Sequence, residues 1–374
     1  MRFQLAVSLF LASAFVAETF TATNSKWGTR ESARFSTTNP DHAVEIKQAT
    51  QQGIRTADID IDIADIFPMP ETKDEVVPLT ADEINSRMNQ QLAKLQAKDQ
   101  TSQQLRKEDL QIVYQDEDIV VVDKPSGVLT VAGKGPNPNI AQTVFDAVKA
   151  DLPTADHMVV HRLGFETSGM LVFAKSKAAV RGMNAEFRER KVRRLYEALV
   201  VGHMEKDEGM ISLPIMRDYE FPPYVRISTD EHQRALLNLD PDDVGKKILE
   251  LPKASITKYQ VVAREYFNGH PVTRVTLTSI SGRYHQLNVH MAAFGHPIVG
   301  DTIYGYNGEA VSNGGLTDEE LRELAPNPNR ADERLQASIA EAAKGMSPCV
   351  HAKYLGFRHP ISRNFVEFST DSPF

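Results

Sequence analysis

The stretch His161-Arg162-Leu163-Gly164-Phe165-Glu166-Thr167-Ser168-Gly169 is a polar, hydrogen-bonding loop set directly before the apolar run Met170 to Ala174. That run has the length and residue types of a buried strand. Beyond it the pattern switches to helical spacing over Lys177 to Glu189, and back to a strand pattern over Leu195 to Val200. Lys175, Lys177, Arg181, Arg188, Arg190, Lys191, Arg193 and Arg194 fall within this unit, interrupted only by Glu186 and Glu189. The whole chain has a formal net charge of −8, so this basic stripe is a local feature. Alone such a run reads more often as a solvated helix face than as a phosphate contact.

Moving outward, Ile112 to Tyr114 and Ile119 to Val122 flank a turn at Asp116-Glu117, and Lys124-Pro125-Ser126-Gly127 closes that unit. Ser255 to Val262, Thr273 to Thr278, Tyr354 to Phe357 and Phe365 to Phe368 are further strands, and His285 to Phe294 is a helix. Many strands with few helices between them predict an α+β fold around a mixed, mainly antiparallel sheet flanked by helices and loops. Thr229 to Leu251, acidic and loop-like, and Gly308 to Pro348, with a capping box at Thr317 to Glu320 and an Ala-rich helix, read as insertions.

The opening stretch resembles the HRLDxxTSG signature of RluA-type pseudouridine synthases. Asp123-Lys124-Pro125-Ser126-Gly127, Phe187-Arg188-Glu189-Arg190-Lys191 leading to Tyr196, and Ser281-Gly282-Arg283-Tyr284-His285-Gln286-Leu287-Asn288-Val289-His290-Met291 follow that family's order. Gly295-His296-Pro297-Ile298-Val299-Gly300-Asp301, His351-Ala352 and His359-Pro360 extend it, so the likeness covers roughly two thirds of the chain. It implies a pseudouridine-synthase fold over residues 107–374, structured RNA (ribosomal or transfer) as partner, and isomerisation of uridine as the family activity.

Isomerisation breaks the bond from ribose C1′ to N1 of the base and rejoins the base through C5, which calls for a carboxylate in the cleft and a base taken out of its stack. The resemblance assigns the carboxylate to the aspartate of HRLD, a stacking role to a tyrosine, and a partner for the aspartate to an arginine after GRxHQL. Tyr196 stands at the tyrosine position, but Gly164 replaces the aspartate and Asn288 the arginine. The paired loss is coherent, because a buried arginine without its carboxylate would cost several kcal/mol. The expectation is an RNA-binding member with lost or impaired catalysis. The alternative is an active synthase using Glu166, which on a strand would lie two residues and ~7 Å along on the same face.

RNA contacts are expected at Arg188, Lys191 and Arg193, and at Arg162, which by the resemblance would enter the space vacated by the flipped base and otherwise reads as a surface salt bridge. His161 is either a substrate contact or a structural hydrogen-bonder. Thr167 and Ser168 are read as holding the loop through side-chain to backbone bonds. Arg283, His285 and Gln286 open a helix whose amides either accept phosphate or are capped.

Arg2 and the apolar run Leu5 to Val16, followed by a Ser/Thr/Arg-rich stretch to Thr38, read as a signal-plus-transit presequence over 1–38. The junction Ala12-Ser13-Ala14-Phe15-Val16-Ala17 resembles the two-part presequences of algae with complex red plastids, which implies a plastid and no membrane after processing; secretion or the endomembrane lumen is the alternative. Residues 39–79 read as a linker, or, over Asp58 to Ile63, as one exposed strand. Thr80 caps a helix predicted to run to about Leu105, with Ile84, Met88, Leu92 and Leu95 on one face. One cysteine, Cys349, excludes an intramolecular disulfide. No cofactor and no metal are expected, since the sequence has neither a Gly-rich phosphate loop nor ligands at metal spacing.

Overall fold

A computed structural model describes residues 80–132, 143–149, 158–236 and 239–374. The presequence, the linker and the Asp/Ile alternation lie outside the described residues. The strands are β1 (Gln111–Gln115), β2 (Ile119–Lys124), β3 (Ser168–Ala174), β4 (Arg193–Val201), β5 (Glu208–Ser212), β6 (Ile215–Arg217), β7 (Val225–Ile227), β8 (Ile256–Phe267), β9 (His270–Ser279), β10 (Val350–Arg358) and β11 (Phe365–Ser369). The helices are α1 (Ala81–Asp99), α2 (Val144–Lys149), α3 (Lys177–Arg188), α4 (Asp230–Ala235), α5 (Pro241–Val244), α6 (Gln286–Ala293), α7 (Asp318–Leu324) and α8 (Glu333–Ala342).

One sheet runs in the order β1-β2-β3-β10-β4-β9-β8-β5, with β11 added to β10, and β6-β7 form a separate ribbon. Every pairing in the large sheet is antiparallel except β3 with β10. The sheet is therefore mixed and mainly antiparallel, as the sequence predicts. At the parallel joint Ser168 faces His351 and Gly169 faces Ala352. A Cβ on Gly169 would lie 2.4 Å from the Ala352 carbonyl oxygen, so only glycine permits this approach.

The runs 119–122 of β2 and 170–174 of β3 are apolar because both faces are covered. Ile119, Val121, Met170 and Val172 enter one cluster, while Val120, Val122, Leu171 and Phe173 enter another on the opposite face. On the far side of the joint, Ala198 and Val200 pack with α6, and Leu199 and Val201 pack with Val299 and Ile339 of α8. Tyr196 touches one cluster from each half, which puts it at the seam.

Three expectations need correction. Helix α1 stops at Asp99 rather than near Leu105: Thr101 Oγ1 donates to the Lys98 carbonyl at 2.7 Å and Ser102 Oγ accepts from Leu129 N, which draws the chain out of the helix. Thr229 to Leu251 is folded rather than loop-like, since Ala235, Val244 and Ile248 bury against Ile84 of α1. The short β5, β6 and β7 had no counterpart in the sequence reading. No helix among the described residues is long and apolar enough to cross a membrane.

Candidate active site

Residues 161–167 are extended loop and turn, leading into β3. Their backbone is pinned from outside, carbonyl by carbonyl. Thr130 Oγ1 donates to Leu163 O, Gly127 N to Phe165 O, and Ser126 Oγ to Glu166 O. Lys124 Nζ donates to the Phe165 and Thr167 carbonyls at 3.0 and 2.9 Å and to Pro125 O at 2.9 Å, one acceptor for each ammonium hydrogen. Burial, only partly opposed by Asp123, pulls the Lys124 ammonium down to about 7.

This corrects the roles given to Thr167 and Ser168. Within the loop, the Thr167 amide donates to Gly164 O, and Ser168 Oγ instead meets His351 Nδ1 at 2.8 Å across the parallel joint. Thr130, Ser126 and Lys124, which the sequence reading did not single out as holding the loop, do that work. His161 proves structural: its Nε2 accepts from Val172 N at 3.0 Å and its ring lies against Phe187. Burial, aided by Arg194, lowers this imidazole to about 3, so it is neutral.

Gly164 is exposed at the turn of the loop, and its φ is not in the left-handed region. A Cβ there would meet only Thr167 Oγ1, at 3.3 Å, so the backbone does not itself demand glycine. Glu166 does not lie on a strand, as the alternative reading assumed; its carboxylate is paired with Lys98 of α1 at 3.0 Å. Asn288 turns to Asp301, donating from Nδ2 to Oδ2 at 2.8 Å, while Asp301 Oδ1 accepts from Ile303 N and Tyr304 N. Burial raises the Asp301 carboxyl, and Asn288 and the two amides partly offset that. Lys98 lies outside every motif block, whereas Asp301 closes the Gly295 to Asp301 block without its pairing being signalled there.

Arg162 is exposed at the loop's tip, and Arg188, Arg190, Lys191 and Arg193 are exposed along the end of α3 and into β4. Lys191 is paired with Glu189 at 2.6 Å, and Arg193 lies over the Phe365 ring at 5.2 Å. Arg283 stands near Arg190, and burial together with that like charge lowers its guanidinium. Gln286 is not an RNA contact: it is 2% exposed, accepts from Ser281 Oγ and Arg283 N, and donates to Ile256 O and Thr257 Oγ1. His285 caps α6 with φ 49° and ψ 22°, a left-handed conformation that costs a non-glycine residue about 1–3 kcal/mol. Burial, with Arg217 and Lys98 adding to it, lowers the His285 imidazole to about 3.

Two groups elsewhere, Asp116 with Asp118 and His359, and Asp218 with Glu220 and His232, bring possible ligand atoms within 4.8 Å. In each the histidine is already engaged: His359 Nε2 on Asp116, and His232 between Arg226 Nη1 and the Arg217 carbonyl.

A profile of RNA pseudouridylate synthases matches residues 118–293. The dual-specificity RNA pseudouridine synthase RluA of Pasteurella multocida (strain Pm70) is 36% identical over 267 residues, covering 71% of this chain and 94% of the relative. The chain belongs to the RluA-type pseudouridine synthase family. The enzyme of the same description from Yersinia pestis is 40% identical over 195 residues, 52% of this chain and 82% of the relative. The solved structure of human RNA Pseudouridylate Synthase Domain Containing 1 aligns with a TM-score of 0.50 at 27% identity, covering 73% of this chain and 87% of that one. In this RluA-type chain position 164 carries no side chain.

Proposed function

We propose that this family member binds structured RNA, ribosomal or transfer, through the basic stripe and Arg162, and that it no longer isomerises uridine. Its relatives are named RNA pseudouridine synthases, which supports RNA as the partner class. The observation that carries the loss is Gly164. At the loop where the family's carboxylate belongs there is a hydrogen atom, and Glu166, the nearest acid in the sequence, is paired with Lys98. In other enzymes removal of a nucleophile costs on the order of 10⁶ in turnover. A protein that keeps the grip and lacks the reaction acts as a chaperone or assembly factor for its RNA. The presequence pattern supports a plastid as the place of action.

Carbodiimide mapping of cellular RNA incubated with the protein tests the catalytic half: no new resistant uridine is expected, and a stoichiometric one overturns the reading. Retention on RNA across a salt series tests the other half. Charge reversal at Arg188, Lys191 and Arg193 flattens the slope if they meet phosphates, and an unchanged slope removes this surface.

A further inference from the structure

The loop Ser281 to His285 carries an exposed ring that the reaction chemistry does not use. Tyr284 is 45% exposed, yet it is not a loose surface side chain. Its ring stacks on His285 with centroids 3.8 Å apart and planes at 17°. Behind His285, Tyr224 lies near-parallel at 6.3 Å and Tyr304 meets it edge-on at 5.6 Å. Those inner rings are fixed: Tyr224 and Tyr304 are 0% and 2% exposed, Tyr224 donates its hydroxyl to Glu309 at 2.6 Å, and Tyr304 accepts from Val225 N at 3.2 Å. His285 itself has a left-handed backbone, φ 49° and ψ 22°.

Cations gather at the open end. The Arg217 guanidinium lies 5.4 Å from the Tyr284 ring centroid, and Arg162 of the signature loop is near enough to act on the same phenol. Beneath the loop, Arg194 Nη2 would lie 2.7 Å from a Cβ on Gly282, and Arg194 Nε, Arg283 Nε and His285 Nδ1 are buried without a hydrogen-bond partner. A rigid aromatic column ending in a half-exposed ring among arginines matches the elements with which proteins hold unpaired bases: a π face for the base and positive charge for its phosphate. A ring meant only for the core would not be left at the surface beside two guanidinium groups.

We propose that Tyr284, backed by His285 and flanked by Arg217, is a stacking platform for an unpaired RNA base beside the one that enters the cleft. This rests on the RNA-binding reading above and adds a subsite to it. Because stacking accepts any base, the platform confers grip and register rather than sequence preference.

The test uses the full chain and an RNA hairpin with uridines in its single-stranded loop, intact or with each loop base removed in turn to an abasic sugar. The wild type is expected to lose affinity on the order of tenfold when one particular base is removed. Tyr284→Ala and Tyr284→Leu are expected to bind the intact hairpin on the order of tenfold more weakly, to be indifferent to that base, and to keep the wild-type salt slope, because no phosphate contact is lost. Tyr284→Trp retains both affinity and the response to the missing base. If Tyr284→Ala melts below the assay temperature, the Leu and Trp variants carry the comparison. Unchanged affinity in the Leu variant, or equal sensitivity to every abasic position, overturns the platform while leaving the RNA-binding reading intact. Failure of the wild type to bind any hairpin overturns both.

Discussion

Tyr196 and Glu197 are neighbours on β4, and strand alternation sends them to opposite faces with opposite electrostatic fates. On the Glu197 side a carboxylate that is 4% exposed receives Arg274 Nη1 at 2.8 Å, Lys353 Nζ at 2.6 Å and the Ser372 hydroxyl. Arg274 in turn grips Glu265 and the Phe374 carbonyl. On the Tyr196 side the family's carboxylate position is Gly164 and its arginine position is Asn288, turned to Asp301. At these two places acid and cation go together: Glu197 is kept with Arg274 and Lys353, whereas Gly164 brings no carboxylate and position 288 no arginine. The cleft nonetheless keeps its frame, because Lys124, Ser126 and Thr130 hold backbone carbonyls and do not need the side chain at 164.

Five variants would break or sharpen this comparison. The largest effect is expected at the frame. Lys124→Met removes three charge-assisted hydrogen bonds to loop carbonyls, of which only that of Phe165 keeps another donor in Gly127 N, and a denaturant midpoint should report a loss of about 3–5 kcal/mol. Next comes the acid that was kept. Burial would raise the Glu197 carboxyl, but bonds from Lys353, Ser372 and Arg274 outweigh it and hold the group at about 2, against an ordinary 4.5. Its folded value is depressed, so its contribution is complete above about pH 4.5 and disappears as pH falls towards 2, amounting to about 3 kcal/mol. Glu197→Gln should lose about that much at pH 7 and flatten the fall of the melting temperature in that window.

The acid that was lost should be cheap to restore. Gly164→Asp with Asn288→Arg is expected to shift stability by no more than about 1 kcal/mol, since a Cβ at 164 meets only Thr167 Oγ1. Detectable pseudouridine from that variant, and none from the parent, would tie the silence of the cleft to these two positions; a collapse in melting temperature would show that the site has been remodelled around glycine. The smallest effect is expected at the Lys98–Glu166 pair, where both partners are partly exposed. Lys98→Met should cost about 0–1 kcal/mol, and Glu166→Gln should leave the modification assay as blank as before.

Much of this was legible in the residues, for definite reasons. Strand β3, the run 119–122 of β2 and the run 198–201 of β4 are buried, so their apolar signal is strong, and α3 and α6 lie within a residue of their expected ends. The folded stretch Thr229 to Leu251 was hidden because its few buried groups, Ala235, Val244 and Ile248, are scattered among exposed acids. Polar residues were harder, since residue type does not say which way a hydrogen bond runs. At His161 and Gln286 the sequence left a ligand contact and an internal hydrogen bond both open, and each side chain bonds within the fold. Lys98 could not be foreseen at all, because its partner Glu166 is brought to it by tertiary packing across a long stretch of chain.

Rejoining uracil through C5 must expel the hydrogen on that carbon, so RNA labelled with tritium at uracil C5 gives the most direct reading of the cleft. With protein in excess over a hairpin that it binds, the account predicts no tritium in water above a no-protein control at any time. Release approaching one equivalent per bound hairpin would contradict it, and would mean that some other group supplies what Gly164 does not.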